Sequence, residues 1–215
     1  MSLYPPFAVR VTTPRLELRG ATDELLERLA PLVRAGKATA DPPPWDDPSS
    51  FYEPDPDRRV EGWLRGVWRG RGTLGPDAWR LYFAVIVDGE AVGMQDLTGN
   101  DFTHFGTVES TSWISSDVRG RGIGREARAA ILHLAFEGLG AAEALSEAGD
   151  GNVGSNAISE ALGYEPNGTS WATHQGVPVL GRRWRLLRTT WEGGRRADIE
   201  MSGVGACRAT LGLDR

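Results

Sequence analysis

The stretch SDVRGRGIGREARAAI, residues 116–131, constrains the fold more than any other part of the chain. Gly120, Gly122 and Gly124 alternate with other residues, arginines among them, and a run with helical spacing follows at once. Ile123, Ala127, Ala130, Ile131 and Leu134 make one apolar stripe, which assigns Arg125, Glu126, Arg128, His133 and Glu137 to the other faces. The first turn of a helix offers unpaired backbone N–H groups and a partial positive charge. Glycines there let an anion approach the backbone without meeting a Cβ. Arg119, Arg121 and Arg125 add charge-assisted donors. A dinucleotide fingerprint would need a third glycine where Arg125 stands, and a Walker loop would need a Lys-Ser/Thr ending. The residues alone leave two readings, an anion cradle and a basic surface turn. The helix that starts immediately favours the cradle.

The segments around this motif give a mixed α/β pattern. Residues 12–20 alternate as a half-buried strand, and Leu25, Leu26, Leu29 and Val33 set a helix with Thr22 as its N-cap. Residues 41–56, DPPPWDDPSSFYEPDP, are too proline-rich for regular structure, and a loop this long tends to be functional. A second helix is expected over 58–69. Strands at 79–87 and 91–98 are joined by an Asp88-Gly89 turn. Further strands fall at 107–115, 144–146, 170–175 and 183–190, with helices from the glycine motif to about 139 and at 154–162. Residues 1–191 read as one domain and 192–215 as an extension packing on it or at a subunit interface.

The charge balance excludes several classes. A formal net charge of −5 argues against a nucleic-acid surface built on Arg119, Arg121, Arg125 and Arg128. No run of membrane-spanning length or signal-peptide pattern is present, and the single cysteine, Cys207, cannot form an internal disulfide. A cytoplasmic protein is expected. His104, His133 and His174 are scattered without metal-ligand spacing, so no metal is expected. Asp46, Asp47, Glu53, Asp55 and Asp57 read as a solvated charge run rather than a cation site.

Taken with its surroundings, the motif resembles a known family. RGRGIG, residues 119–124, is similar to the R/Q-x-x-G-x-G/A coenzyme A loop of the GNAT (GCN5-related N-acetyltransferase) superfamily. NVGSNAISEALGY, residues 152–164, resembles its N-x-x-S…LG-[FY] segment, and TPRLELR its RimJ/RimL-like first strand. The likeness spans about 12–191 and is nearest to actinobacterial members. It implies a mostly antiparallel sheet flanked by helices and split by a V-shaped opening between 107–115 and 144–146. Acetyl-CoA or another acyl-CoA would serve as co-substrate, with acetyl as the default and succinyl left open.

In that reading Trp113, Ile114 and Ser115 lie along the pantetheine arm. Arg119, Gly120, Arg121, Gly122, Ile123, Gly124 and Arg125 hold the pyrophosphate, and Asn152 and Ser155 contact the arm. Direct acyl transfer to an amine requires a neutral amine, which costs about 4.6 kcal/mol for a lysine at pH 7 and about 1.4 kcal/mol for an α-amine. Glu109, sharing a strand face with Thr111 and Trp113, is the candidate base. The family's usual tyrosine acid falls on Ser159, leaving Ser155 as a hydrogen-bonding substitute or as a helix cap. Trp45, Phe51, Tyr52, Trp63 and Trp68 would wall the acceptor pocket. The acceptor would be an amine of a protein, peptide or small molecule, and the protein a homodimer. The absent tyrosine also leaves open a coenzyme-binding sensor with little turnover.

Overall fold

The computed structural model describes residues 3–43, 46 and 50–214. Trp45 and Asp47 lie outside the described residues. The expected first strand is two, β1 (Arg10–Thr12) and β2 (Glu17–Gly20), folded back as a hairpin. Pro14 has no N–H for a ladder, and Thr13 N–H bonds Leu16 O at 2.9 Å to close the turn. Thr22 caps α1 (Asp23–Arg34) by accepting from Leu25 N–H at 3.3 Å, and the four apolar positions of that helix are buried. Asp55 caps α2 (Pro56–Gly72), accepting from Asp57 and Arg58 N–H. Its first helical residue is proline, whose missing N–H costs nothing there.

β3 (Ala78–Val87) and β4 (Glu90–Asn100) form the expected hairpin, with Asp88 and Gly89 both at positive φ as a primed turn requires. A one-turn helix, α3 (Phe102–Phe105), leads into β5 (Thr107–Ile114). The glycine motif then enters α4 (Ile123–His133), which closes in a π turn over Leu134–Gly138. β6 (Glu143–Gly149), α5 (Val153–Ala161) and the hairpin of β7 (Glu165–His174) and β8 (Val177–Leu187) follow.

The strand expected to run to Thr190 stops at Leu187. Residues 188–193 turn into α6 (Arg188–Gly193) because Arg188 bonds the carbonyl of Ala141 at 2.9 Å and Trp191 stacks on Phe136 at 4.9 Å. Local β propensity yields to these tertiary contacts. The extension adds β9 (Glu200–Ser202), paired with β1, and α7 (Val204–Thr210). Ile199, Cys207 and Leu211 bury its apolar side in the main core.

Among the described residues nine strands form one sheet in the order β7-β8-β6-β5-β4-β3-β2-β1-β9. Pairings between neighbours are antiparallel except β5 with β6. α1 and α2 cover one face over Tyr82, Ala84, Met94 and Trp113. α4 covers the other over Val85, Leu97, Val108 and Ile114. Among the described residues no helix is long and apolar enough to cross a membrane.

Candidate active site

The parallel pair opens the site. β5 and β6 are in register only at Thr107–Glu143, Val108–Ala144 and Glu109–Leu145. Beyond that rung β5 stays on β4 and β6 stays on β8, so the two part into a V. Ser115 N–H bonds Val92 O on β4 at 2.8 Å. Strand alternation therefore turns the N–H groups of Ile114 and Ser112 into the opening. Those backbone donors can meet a carbonyl oxygen lying between the strands.

On one side of the opening stands the glycine loop. Gly120 and Gly122 have φ of +76° and +79°, which an L side chain adopts only under strain. Gly122 is the N-cap of α4 and offers no side-chain cap, so the first N–H groups of the helix stay open. Gly124 has ordinary φ. A Cβ there would lie 3.3 Å from Ile158 Cδ1, so this glycine permits the close packing of α4 on α5. Arg121 and Arg125 border a hollow of about 690 Å³ with Arg15 and Arg196.

Arg119 behaves differently from the other two loop arginines. Its guanidinium bonds the carbonyls of Ile114 at 2.9 Å and Thr39 at 2.7 Å, and burial lowers its pKa. It ties the loop to the segment after α1, where sequence reading had it facing a phosphate. Trp113 and Ile114 are buried, and Ser115 accepts from Asp117 N–H at 3.4 Å to start the turn into the loop.

A cavity of about 650 Å³ opens on the α1/α2 face and reaches the V. Its floor holds Arg80, Asp96, Glu109 and Glu147, and its walls include Phe51, Tyr52 and Trp113. Residue parity explains the acidic floor. Asp96 shares the face of Met94, Glu109 that of Trp113, and Glu147 the opposite face from core residue Ala144. Glu109 is exposed to the open cavity yet protein surrounds its other sides. Burial, then Glu147 and Asp96, raise its carboxyl pKa against the opposing pull of Arg80 and Arg183. Desolvation also pushes Asp96 upward, and Arg80 at 2.9 Å resists.

The described residues of the proline-rich segment include Phe51 and Tyr52 in the cavity wall and Asp46 against β7. Asp46 N–H bonds Thr173 O at 2.7 Å, Gln175 N–H bonds Asp46 Oδ1 at 2.9 Å, and Tyr52 meets the His174 ring at 5.4 Å. Trp63 and Phe51 face inward, but Trp68 is 50% exposed on the outer side of α2, bonded to Asp23, and walls nothing. Among the described residues no cluster of His, Cys, Asp and Glu could hold a metal.

Asn152 Oδ1 accepts from Ser155 N–H at 3.1 Å, which makes Asn152 the cap of α5. Ser155 therefore is not the cap, and with Asn152 it lines the cavity. Ser159, at the position of the absent tyrosine, is 1% exposed and bonds back to Ser155 O at 3.3 Å, so it does not reach the opening.

Sequence reasoning missed the other half of the polar site. Arg80, Asp96 and Glu147 sit in strands whose pattern gave no signal beyond alternation. Glu126, Arg128 and His133, which helical spacing places off the apolar stripe, are all buried. The stripe was drawn too narrowly, because the sheet below α4 and α6 beside it enclose most of that helix.

This geometry defines a class. An open α/β sheet split at its one parallel pair, with an uncapped glycine-rich helix start at the split, is the GNAT architecture. The profile of the GNAT acetyltransferase domain matches residues 15–165, and the chain belongs to that family. RimJ from Mycobacterium smegmatis, solved with a coenzyme A disulfide, superposes with a TM-score of 0.68 at 19% identity. The match covers 88% of this chain and 96% of that one. A ribosomal-protein-S5-alanine acetyltransferase from Vibrio fischeri gives 0.64 at 16% identity over 85% and 98%. RimL, a ribosomal L7/L12 α-N-protein acetyltransferase solved with coenzyme A, gives 0.62 at 16% over 81% and 95%. Coenzyme A binding and acetyltransferase membership follow from the family.

Proposed function

We propose that the protein is an acyl-CoA-dependent N-acyltransferase that acts on a primary amine by direct attack in a ternary complex. The observation that carries this reading is the position of Glu109 at the last paired rung before β5 and β6 separate. From there its carboxylate faces the cavity, while the coenzyme would approach from the α4 side. The open N–H groups at the start of α4 and the side chains of Arg121 and Arg125 would take the pyrophosphate. The pantetheine arm would follow Trp113–Ser115, with Asn152 and Ser155 on the facing side.

The amine nitrogen attacks the thioester carbonyl carbon as its proton passes to Glu109. The raised pKa of Glu109 brings the base closer to neutral pH, where it accepts that proton with less penalty. The N–H of Ile114 or Ser112 meets the oxyanion. The C–S bond then breaks and the electron pair leaves with sulfur, where the Ser155 hydroxyl can donate a hydrogen bond. Asp96, Glu109 and Glu147 make the floor suited to a cationic amine. RimL and the S5-alanine enzyme are named for ribosomal-protein acceptors. By analogy a peptide or protein N-terminus is the first acceptor to test, with small-molecule amines beside it.

The experiment is thiol release from acyl-CoA across a panel of N-terminal peptides, lysine peptides and polyamines. Turnover with any of these supports the enzyme. Tight coenzyme binding with no turnover on the whole panel supports the second reading, a coenzyme sensor, which the burial of Ser159 favours.

A further inference from the structure

Arg128 is the least explained charge in the molecule. It projects from α4 into the V, is 4% exposed, and forms no ion pair among the described residues. Its Nη1 donates to Ser146 Oγ on β6 at 2.9 Å and its Nη2 to Ser112 Oγ on β5 at 3.4 Å, so the guanidinium bridges the separated strands. Its Nε has no hydrogen-bond partner, and the buried Ser110 stands nearby. The buried Tyr164 hydroxyl lies beside both Arg128 and Ser110, whose side chains pull its pKa down against the rise that burial causes. A buried guanidinium with no carboxylate in ion-pair contact is disfavoured, and Asp96, whose charge it feels, is already bonded to Arg80.

The cleft is divided by face. Ser110, Ser112 and Ser146 share the α4 side with core residues Val108, Ile114 and Ala144. Asp96, Glu109 and Glu147 lie on the opposite side. Arg128, Ser110 and Ser112 border the same cavity as the three carboxylates, but from the α4 side of the strands. A chain continuing from a thioester held at Ile114 would run toward Ser112, a two-residue step of about 6.6 Å, where Arg128 is bonded. An acetyl group ends short of that distance and leaves Arg128 with no carboxylate in ion-pair contact. A short dicarboxylic acyl chain can bring its far carboxylate to the guanidinium, which suits paired carboxylate oxygens.

We propose that the donor is a dicarboxylic acyl-coenzyme A of succinyl length, its distal carboxylate held by Arg128 with Ser110 and Ser112. The transfer step is otherwise the one given above, and the inference rests on that reading. Arg128 acts here as a specificity residue for the donor.

The test is calorimetric titration of the full chain with coenzyme A, acetyl-CoA and succinyl-CoA, for the wild type and for Arg128→Met. The wild type is expected to bind succinyl-CoA about 30-fold more tightly than acetyl-CoA, and the ratio should collapse toward unity in Arg128→Met. Circular dichroism verifies that the variant folds. Should it not, Arg128→Lys is read instead, with an intermediate ratio expected because lysine keeps the charge but loses the fork. Equal wild-type affinities for the two thioesters overturn the inference while leaving the acyltransferase reading intact, as does a preference that survives Arg128→Met. Failure of all three coenzymes to bind overturns both.

Discussion

Thr13 donates its hydroxyl to Glu126 Oε1 at 2.6 Å, joining the first hairpin to the first turn of α4 across 113 positions of sequence. Arg15 Nε reaches the same carboxylate, and its Nη1 donates to Arg121 O at 3.0 Å. The coenzyme loop is therefore held from below by the β1–β2 turn. Desolvation would raise the pKa of Glu126, but the bonds from Thr13 and Arg15 outweigh it and lower the value.

Glu126→Gln should lower the unfolding free energy by about 2 kcal/mol at pH 7. A depressed carboxylate gives stability that is fully present above its ordinary value of 4.5 and lost as pH falls through the lower folded value. Denaturant titrations should thus find the variant and wild type converging at strongly acidic pH. A constant gap across that range would remove Glu126 ionisation from the account.

Gly122→Val places a β-branched side chain at φ +79° and brings its Cβ to 3.1 Å from Arg15. The strain should cost about 1–2 kcal/mol in stability. Coenzyme affinity should fall by about tenfold or more, because the N–H groups no longer converge. Calorimetry with coenzyme A reads the second effect directly, and undiminished affinity would remove the loop from the binding site.

Asn152→Ala removes the cap of α5 and should destabilise the fold by about 1 kcal/mol. Coenzyme binding should weaken as well, since the residue lines the opening. A stability loss with unaltered binding would limit Asn152 to capping.

Glu109→Gln should reduce kcat and remove the acidic limb of the pH–rate profile. Its folded pKa is raised, so in the wild type stability decreases as pH climbs from the ordinary value of 4.5 through the folded one. The variant should therefore be more stable than wild type at pH 7–8 and equal to it below the carboxylate range. Thermal unfolding at two pH values together with stopped-time thiol release measures both effects. Undisturbed turnover would dismiss Glu109 as the base.

What the sequence disclosed follows its periodicities. Helical spacing gave α1 with its Thr22 cap, and alternation gave the β3–β4 hairpin with its Asp88-Gly89 turn. The glycines marked the start of α4, where backbone φ and an open helix end leave a local signature. The parts that escaped depend on neighbours distant in sequence. Arg128 and Glu126 lie off the apolar stripe on a helical wheel, and only the split sheet and the first hairpin bury them. The grouping of Asp96, Glu109 and Glu147 requires the register of three strands, which alternation alone does not supply. Thr189 and Thr190 favour a strand by propensity, but the anchoring of Arg188 and Trp191 makes them helical.

The central claim is that the opening between β5 and β6 is an acyl-CoA site with its base on the far face. A crystal structure with a bound non-hydrolysable acyl-CoA analogue tests it most directly. The account predicts pyrophosphate oxygens within about 3 Å of the N–H groups at the start of α4. It also predicts the acyl carbonyl between Ile114 and Ser112, on the opposite side of β5 from Glu109. A coenzyme seated elsewhere, or one whose acyl end lies away from the split, would contradict it.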